Sequence, residues 1–349
     1  MTRTVLIVAR RDDVQAQHLD GLIAGRRART VLVDPADFPA EVGLSVDVDE
    51  AGRLRRTLRA RGDRVELGSF VGAWLRSRSL PVPDPLLVDP TVREYVRLEC
   101  AAFLDDVWAG LDCPVVPAPP PLGPVGPGKI TQLAAAGRVG FEVPETLVTT
   151  DPDEFLDFRA RHDGRVVTKV IEQVGFRLHT RDFFRYTEPV PTRSLGYSDA
   201  IRLCPVIVQP LVAKALEVRV TVVGDRVFAA ELDSQVNRRT TDDWRRGRDI
   251  RAVPHRTHAL PAREADACVR LTRQLGLTFS AIDLIVTPDG RYVFLEANAD
   301  GEFRWIEILT GLPITEALCD LLLAGADAPL AAVHPATGLA DAATRTSGA

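Results

Sequence analysis

The sequence predicts a mixed α/β protein of more than one domain. Three observations carry this: β-branched strand-like runs alternate with helix-period segments, a proline-rich break interrupts the chain at 117–124, and two strand pairs joined by Asp/Gly turns stand in the C-terminal half. A chain of 349 residues is too long for one compact core, so two or three subdomains are expected.

Thr4-Val5-Leu6-Ile7-Val8 reads as a buried strand, 13–25 as a helix and Thr30-Val31-Leu32-Val33-Asp34 as a second strand, which opens an α/β domain. The stretch 90–112 has helical spacing, with Val92, Tyr95, Val96, Leu98, Phe103, Leu104 and Val107 on its apolar side. The run Pro117-Ala118-Pro119-Pro120-Pro121-Leu122-Gly123-Pro124 is too rich in proline for either element and reads as a linker. Strands follow at 165–171, 206–209, 217–223, 226–232, 279–287 and 291–298, with helices at 129–139, 262–275 and 313–324. From about 326 onward the chain is rich in Ala, Thr, Gly and Ser, a composition expected to be disordered.

With 46% hydrophobic and 26% charged residues the composition is that of an ordinary soluble globular protein. A net charge of −5 and dispersed arginines argue against a nucleic-acid partner, although Arg245-Arg246-Gly247-Arg248 could meet phosphate. Cysteines 100, 113, 204, 268 and 319 form no CxxC pair, and the chain has neither a signal segment nor a membrane-length apolar span, so a cytoplasmic protein is expected.

Forty of the 43 basic residues are arginine; the only lysines are Lys129, Lys169 and Lys214. A compact ammonium fitted against a phosphate oxygen cannot be exchanged for a planar fork, so the surviving lysines are candidates for chemistry. Gly123 to Gly128-Lys129 imitates a phosphate-binding P-loop and fails as one. Ile130 stands where Ser or Thr should hold Mg²⁺, Pro124 and Pro127 remove backbone donors, and no strand feeds the loop.

The most informative segment runs from Phe279 to Asn298, with Asp289-Gly290 as the signal for a two-residue hairpin loop. That loop would place Asp283 opposite Glu296, with Asn298 two residues on along the same face. Two opposed carboxylates on an apolar hairpin repel and lose solvation, a cost that a bound hard cation such as Mg²⁺ reverses. A second hairpin runs from Leu216 to Glu231 through Gly224-Asp225, and Glu217 and Arg219 share one of its faces. An arginine beside a Mg²⁺ site can stabilise charge on a γ-phosphoryl group, and a glutamate can accept from ribose hydroxyls. His255 and His258 have HxxH spacing without a third ligand and read as loop residues, not a zinc site.

The order Lys129, Lys169, Gln209-Pro-Leu-Val, Glu217-x-Arg219, Asp283, Glu296-x-Asn298 resembles the ATP-grasp ligases over roughly 125–325. More narrowly, Gln132-Leu133, 143–149, 217–224, Asp243-Trp244-Arg245 and Trp305-Ile-Glu307 resemble the graspetide (microviridin-type) synthetases, which mature ribosomally made peptides. Pro210 replaces the glutamate usual after the hinge glutamine, Ala299-Asp300 stands where Pro-Asn is common, and Gly-Pro repeats replace an asparagine-rich stretch before Lys129.

The resemblance implies an ATP-grasp fold: an α/β pre-ATP-grasp domain at 1–116, a linker at 117–128, a central lid at 129–211, a C-terminal ATP-grasp subdomain with the metal site at 212–325, and a tail at 326–349. It implies ATP and Mg²⁺ as cofactors, with Lys129 and Lys169 on phosphates and Gln209 to Leu211 reading adenine. Glu217 would contact ribose, Arg219 would meet the γ-phosphate, and Asp283, Glu296 and Asn298 would hold metal. Arg219 and Arg245 are the catalytic candidates, while Asp243, Trp244, Trp305 and Glu307 are candidates for substrate contact. The activity implied is phosphorylation of an Asp or Glu side chain on a leader-bearing precursor peptide, followed by ester or amide macrocyclisation with Ser, Thr or Lys. An ATP-grasp ligase for free amino acids or small carboxylates is the alternative, and a non-catalytic nucleotide-binding regulator a third reading. Intact Asp283, Glu296, Asn298 and Arg219 speak against that third reading. A homodimer is one assembly left open.

Overall fold

The structure, a computed structural model, describes residues 2–325 apart from 61, 77–78, 123–124, 172–175, 179–180, 184–185, 239, 247–250 and 252, with 176–178 and 181–183 described by backbone alone. Gly123 and Pro124 of the linker, Gly247 and Arg248 of the basic run, and the tail from 326 therefore lie outside the described residues.

The chain opens with β1 (Thr4–Val8), α1 (Val14–Gly25) and β2 (Arg29–Val33). Asp13 caps α1 by accepting from the backbone N–H groups of Gln15 and Ala16. A separate antiparallel sheet follows, β3 (Gly43–Val48), β4 (Leu54–Ala60) and β5 (Asp63–Glu66), then β6 (Phe70–Leu75), α2 (Pro90–Ala109) and β7 (Val115–Val116). Strands β2, β1, β6 and β7 pair in that order, all parallel. Period-two alternation divides β1: Val5 and Ile7 pack with α1, while Leu6 and Val8 pack with Leu58 and Ala60 of β4 and Leu104 and Val107 of α2. The β3–β5 sheet escapes sequence reading because only one face is covered and β4 reads as an arginine run.

The 90–112 helix ends at Ala109, and its apolar side is not uniformly buried, since Val92, Tyr95 and Leu98 are 45–63% exposed. Twenty helical residues span about 30 Å, longer than the roughly 20 Å of six-residue β6, so the first half of α2 overhangs the sheet it covers.

The middle of the chain carries α3 (Lys129–Arg138), β8 (Leu147–Thr149), α4 (Pro152–Arg161), β9 (Val166–Lys169), β10 (Phe176–Leu178), β11 (Arg181–Phe183), β12 (Glu188–Pro189) and β13 (Val206–Pro210). Strands β12, β9, β13 and β8 form an antiparallel sheet over a small core of Phe155, Phe158, Val166, Ile201 and Val208.

The last sheet, ordered β16-β15-β14-β17-β18, is formed by β14 (Leu216–Val223), β15 (Arg226–Leu232), β16 (His255–Thr257), β17 (Phe279–Val286) and β18 (Tyr292–Asn298); α5 (Ala262–Gln274), α6 (Arg304–Thr310) and α7 (Ile314–Leu323) complete the fold. Val218, Val220, Val222, Ile282, Leu284 and Phe294 turn to a core shared with α3 and α5. The alternate residues Glu217, Arg219 and Asp283 face the other way.

The β14–β15 hairpin has the two-residue Gly224-Asp225 loop expected, with every pair in one register. The β17–β18 hairpin does not: Thr287 N–H donates to Arg291 O, which makes the loop Pro288-Asp289-Gly290, and Gly290 adopts φ 84°. This shifts the pairs near the turn by one residue, and a bulge between Asp283 and Leu284 shifts them back. Asp283 therefore faces Glu296 as expected, by a different route.

Helix α7 returns to the N-terminal sheet and packs on β6 at Gly72. A Cβ there would stand 2.3 Å from the Leu322 carbonyl oxygen, a backbone atom that cannot step aside. Gly72→Ala should therefore destabilise the fold by about 1–3 kcal/mol, read as a fall in urea midpoint at unchanged slope. An unchanged midpoint would mean that α7 does not sit tightly on β6.

Candidate active site

Three side chains stand in a row across β14, β17 and β18: Arg219 is paired with Asp283, and Asp283 with Glu296. The bulge turns both Leu295 and Glu296 to this face, while Phe294 and Ala297 stay in the core. Arg219, 8% exposed, donates from Nη1 to both Asp283 oxygens at 2.9 and 2.8 Å. Burial pushes the Asp283 carboxyl above its ordinary range, against the pull of Arg219, and the Glu296 charge adds to the rise.

Glu296 has the opposite balance. Burial would raise it, yet Lys129, Arg245 and Lys169 together hold it well below the ordinary carboxylate range. Lys129 Nζ lies 2.6 Å from Glu296 Oε2, Arg245 Nη1 is 3.7 Å from Oε1, and the Asn298 amide donates to Oε1 at 3.4 Å. Lys129 opens α3, and Gln132 one turn later fixes that helix to the hairpin by donating to Pro127 O and accepting from Ala297 N–H.

Lys169 faces this row from the end of β9. Burial lowers its ammonium from 10.5 to about 8, with Lys129 and Arg245 adding to the fall against the pull of Glu296 and Asp243. The buried Gln209 amide donates to Thr146 Oγ1. Pro210 has no N–H and Leu211 gives its own to Arg165 O, so neither offers a backbone donor to a purine edge.

A loop above β14 closes the space. Asp243, 4% exposed, accepts from Arg245 Nε and Nη2 at 2.9 and 2.8 Å and from Thr187 N–H at 3.2 Å, tying this loop to the central sheet. Lys214 donates to Glu217 Oε1 at 2.7 Å and to Asp242 O, while burial pushes the Glu217 carboxyl up against the pull of this lysine. Lys214 carried the same sequence signal as the other two lysines but lacked an assigned role. Tyr186, also on the cavity wall, left no signal at all.

The first cavity is thus lined by Lys129, Lys169, Gln209, Leu211, Glu217, Asp243, Trp244, Arg245, Asp283 and Glu296. A second, of about 510 Å³, shares Lys129, Trp244, Arg245 and Asp283 with it and adds Arg219, Asn298 and Trp305. The Trp244 and Trp305 rings stand 5.1 Å apart, with His255 edge-on to Trp305 at 5.3 Å. Glu307 lines neither cavity: its carboxylate accepts from Thr315 N–H and Oγ1 and from Arg304, holding the joint between α6 and α7. Among the described residues no three His, Cys, Asp or Glu side chains gather to hold a metal; the oxygen set at the row is two carboxylates and one amide.

No protein-family model matches the chain, and no curated protein matches it. Solved structures do. The RiPP-associated ATP-grasp ligase of Chryseobacterium gregarium, solved with ADP and a leader and core peptide, is 25% identical with a TM-score of 0.84, over 92% of this chain and 96% of that one. The macrocyclase MdnC of Microcystis aeruginosa, bound to its precursor peptide MdnA, is 27% identical with a TM-score of 0.79, over 93% and 99% of the two chains. The macrocyclase MdnB of the same organism is 27% identical with a TM-score of 0.75, over 93% and 100%. The architecture is that of the ATP-grasp ligases. Within them the likeness runs to the graspetide-type peptide maturases along nearly the whole chain, the N-terminal sheet included.

The ATP-grasp cavity leads to a test that needs no turnover. Lys169 should react with an amine-selective acylating reagent along a pH profile centred near 8, because the reactive neutral amine forms above that value and not above 10.5. Mg²⁺ and a non-hydrolysable ATP analogue should protect it. A profile rising only toward 10.5, read by peptide mass mapping, would contradict the burial of this ammonium.

Proposed function

We propose that the protein is an ADP-forming ATP-grasp ligase that macrocyclises a leader-bearing precursor peptide. What carries the reading is the adjacency of two cavities. One gathers lysines and a ribose-suited glutamate, the other is walled by two tryptophans and two arginines, and the Arg219–Asp283–Glu296 row lies where they meet. Peptide-bound ATP-grasp relatives of similar length support the choice of substrate.

The oxygen set suits Mg²⁺, a hard cation that prefers carboxylate and amide oxygens. Asp283, Glu296 and Asn298 would hold it, and when bound it supplies neutralisation of phosphate charge. Arg219 Nε, buried without a hydrogen-bond partner among the described residues, is a donor that an anionic group in this space would satisfy. Lys129 and Arg219 neutralise the carboxylates in this structure, and with those carboxylates holding a metal they would be available to phosphate oxygens.

Chemistry then follows from placement. A substrate Asp or Glu carboxylate attacks the γ-phosphorus of ATP, the bond to the ADP oxygen breaks, and Lys129, Lys169, Arg219 and Arg245 stabilise charge spreading over the transferring group. A Ser or Thr hydroxyl or a Lys amine of the same peptide attacks the acyl carbon, phosphate leaves, and the nucleophile's proton is lost. The peptide is lighter by one water per ring, and ATP becomes ADP and phosphate. Glu217 and the 209–212 segment would hold ribose and base, with Val212 and the hinge carbonyls serving where Pro210 and Leu211 lack a free N–H.

We read the chain as 1–116, 129–211 and 212–325 around the 117–128 linker, supported by the separate sheets and the separate core of the middle segment. A cytoplasmic location fits five cysteines without disulfides, and no described helix is long and apolar enough to cross a membrane.

Incubated with ATP, Mg²⁺ and a leader-bearing Thr- and Asp/Glu-rich peptide, the protein should release one ADP for each 18 Da lost, about the mass of one water, because tethering raises the effective concentration of each carboxylate. Robust ADP release with free amino acids, and none with any such peptide, would sink the peptide reading and leave the ligase. Glu296→Gln should retain the fold and lose about 100-fold or more in turnover. Lys169→Arg should raise KM for ATP about tenfold, near 1.4 kcal/mol, while an exposed Arg→Lys change leaves it alone. Parent-like turnover in Glu296→Gln would refute the metal assignment.

A further inference from the structure

Neither Arg76 nor Gln15 has a part in the chemistry above, yet one from the end of β6 and the other from α1 reach the wall of the second cavity. Arg76 follows β6, and its N–H donates to Val8 O. Its side chain, 6% exposed, meets three carboxylates: Glu302 Oε1 at 2.5 Å from Nη2, Asp13 at 3.4 Å from Nε, and Asp300. Nη1 also donates to Asp300 O at 3.1 Å.

Gln15, 1% exposed on α1, accepts at Oε1 from the N–H groups of Phe303 and Arg304 at 3.0 and 3.1 Å and donates from Nε2 to Glu302 Oε2 at 2.9 Å. Helix α6 begins at Arg304 with Phe303 as its cap and no capping side chain of its own. A glutamine from helix α1 of the N-terminal region therefore satisfies two of its first N–H groups.

The segment so held touches the reacting row. Glu302 O accepts from Arg219 Nη2 at 3.4 Å and from Trp305 Nε1 at 3.1 Å. A Cβ at Gly301 would fall 2.1 Å from Ala281 Cβ and 3.1 Å from Arg219 Nη2, so the loop lies flush against the arginine that grips Asp283. Arg219 is bounded by Asp283 on one side and by residues 301–302 on the other.

We propose that Arg76 and Gln15 are positioning residues for phosphoryl transfer, acting through residues 300–304 to fix Arg219 and Trp305. The proposal rests on the ligase reading, and it gives the N-terminal sheet a part in the transfer step. A loop merely glued to a neighbouring sheet would affect stability alone. A loop that aims Arg219 acts on turnover, since a misplacement of about 1 Å can cost about 100-fold in rate. ATP affinity, set mainly in the first cavity, should move little.

Arg76→Lys keeps the charge but cannot span three carboxylates, and Glu302→Gln removes one of those charges from a side chain that is 63% exposed. At saturating precursor, each should lower kcat by about 10- to 100-fold while KM for ATP stays within about threefold. Millimolar guanidinium added to Arg76→Ala should restore at least about fivefold of the lost kcat. Amide hydrogen exchange across 300–306 should quicken in both single variants, a readout independent of activity.

Unchanged exchange in folded protein, unchanged kcat in folded Arg76→Lys and Glu302→Gln, or a loss confined to melting temperature and KM would overturn the proposal. Wild-type protein that turns over no ATP with any peptide or amino acid, while the variants still exchange faster, would overturn the ligase reading and leave the contact between Arg76 and this loop intact.

Discussion

Two carboxylates buried side by side must find cations, and the protein is arranged around that requirement. Asp283 and Glu296 face one another on adjoining strands because a bulge reverses the shift made by a three-residue turn. Without compensation their mutual repulsion and lost hydration would forbid the arrangement. Arg219 from β14, Lys129 from the start of α3 and Arg245 from the closing loop supply it, and these come from three separate stretches of chain. A site that recruits its counter-charges from so many elements changes when those charges are called elsewhere. On the proposed reading, phosphate oxygens would draw lysine and arginine from the carboxylates and a metal would take their place, one exchange of partners.

How much of this could be read from the sequence depended on the range of the interaction. Alternation along β14 is local, so the shared face of Glu217 and Arg219 is legible in the sequence, whereas the place of Asp283 beside them comes from the pairing of β14 with β17. The Asp283–Glu296 pairing was legible only because two one-residue shifts cancel; the loop inferred from Asp289-Gly290 was the wrong length. Lysine scarcity pointed to all three lysines, but nothing local said that Lys214 would meet Glu217 three residues later across a bend. Trp305-Ile-Glu307 shows the limit of motif reading: Trp305 reaches the cavity, while Glu307, two residues along a helix, turns away to the α6–α7 joint.

What could not be read is mostly long-range. The β3–β5 sheet hides behind an arginine run, the first half of α2 looks buried and overhangs solvent, and α7 returns to the opening sheet across some three hundred residues of sequence. Each reflects packing chosen by distant partners and not by local preference. The contacts of Gln15 with Phe303 and Arg304 belong to this class, since no pattern near either end announces the other.

That long-range packing explains why a ligase site on one sheet should depend on a second sheet at all. Residues 299–303 leave β18 as Ala-Asp-Gly-Glu-Phe, with a glycine and no proline, so their conformation is not set by the backbone alone. An unsupported loop of this kind would let Arg219 lose its carbonyl partner at Glu302 and let the Trp305 wall drift. Arg76 with its three carboxylates and Gln15 with its two N–H groups replace that missing stiffness by contacts from outside. Stiffness placed in trans also depends on how the two sheets sit against each other. The packing of α7 against β6 at Gly72, which lines neither cavity, thereby becomes a condition on the proposed geometry of transfer.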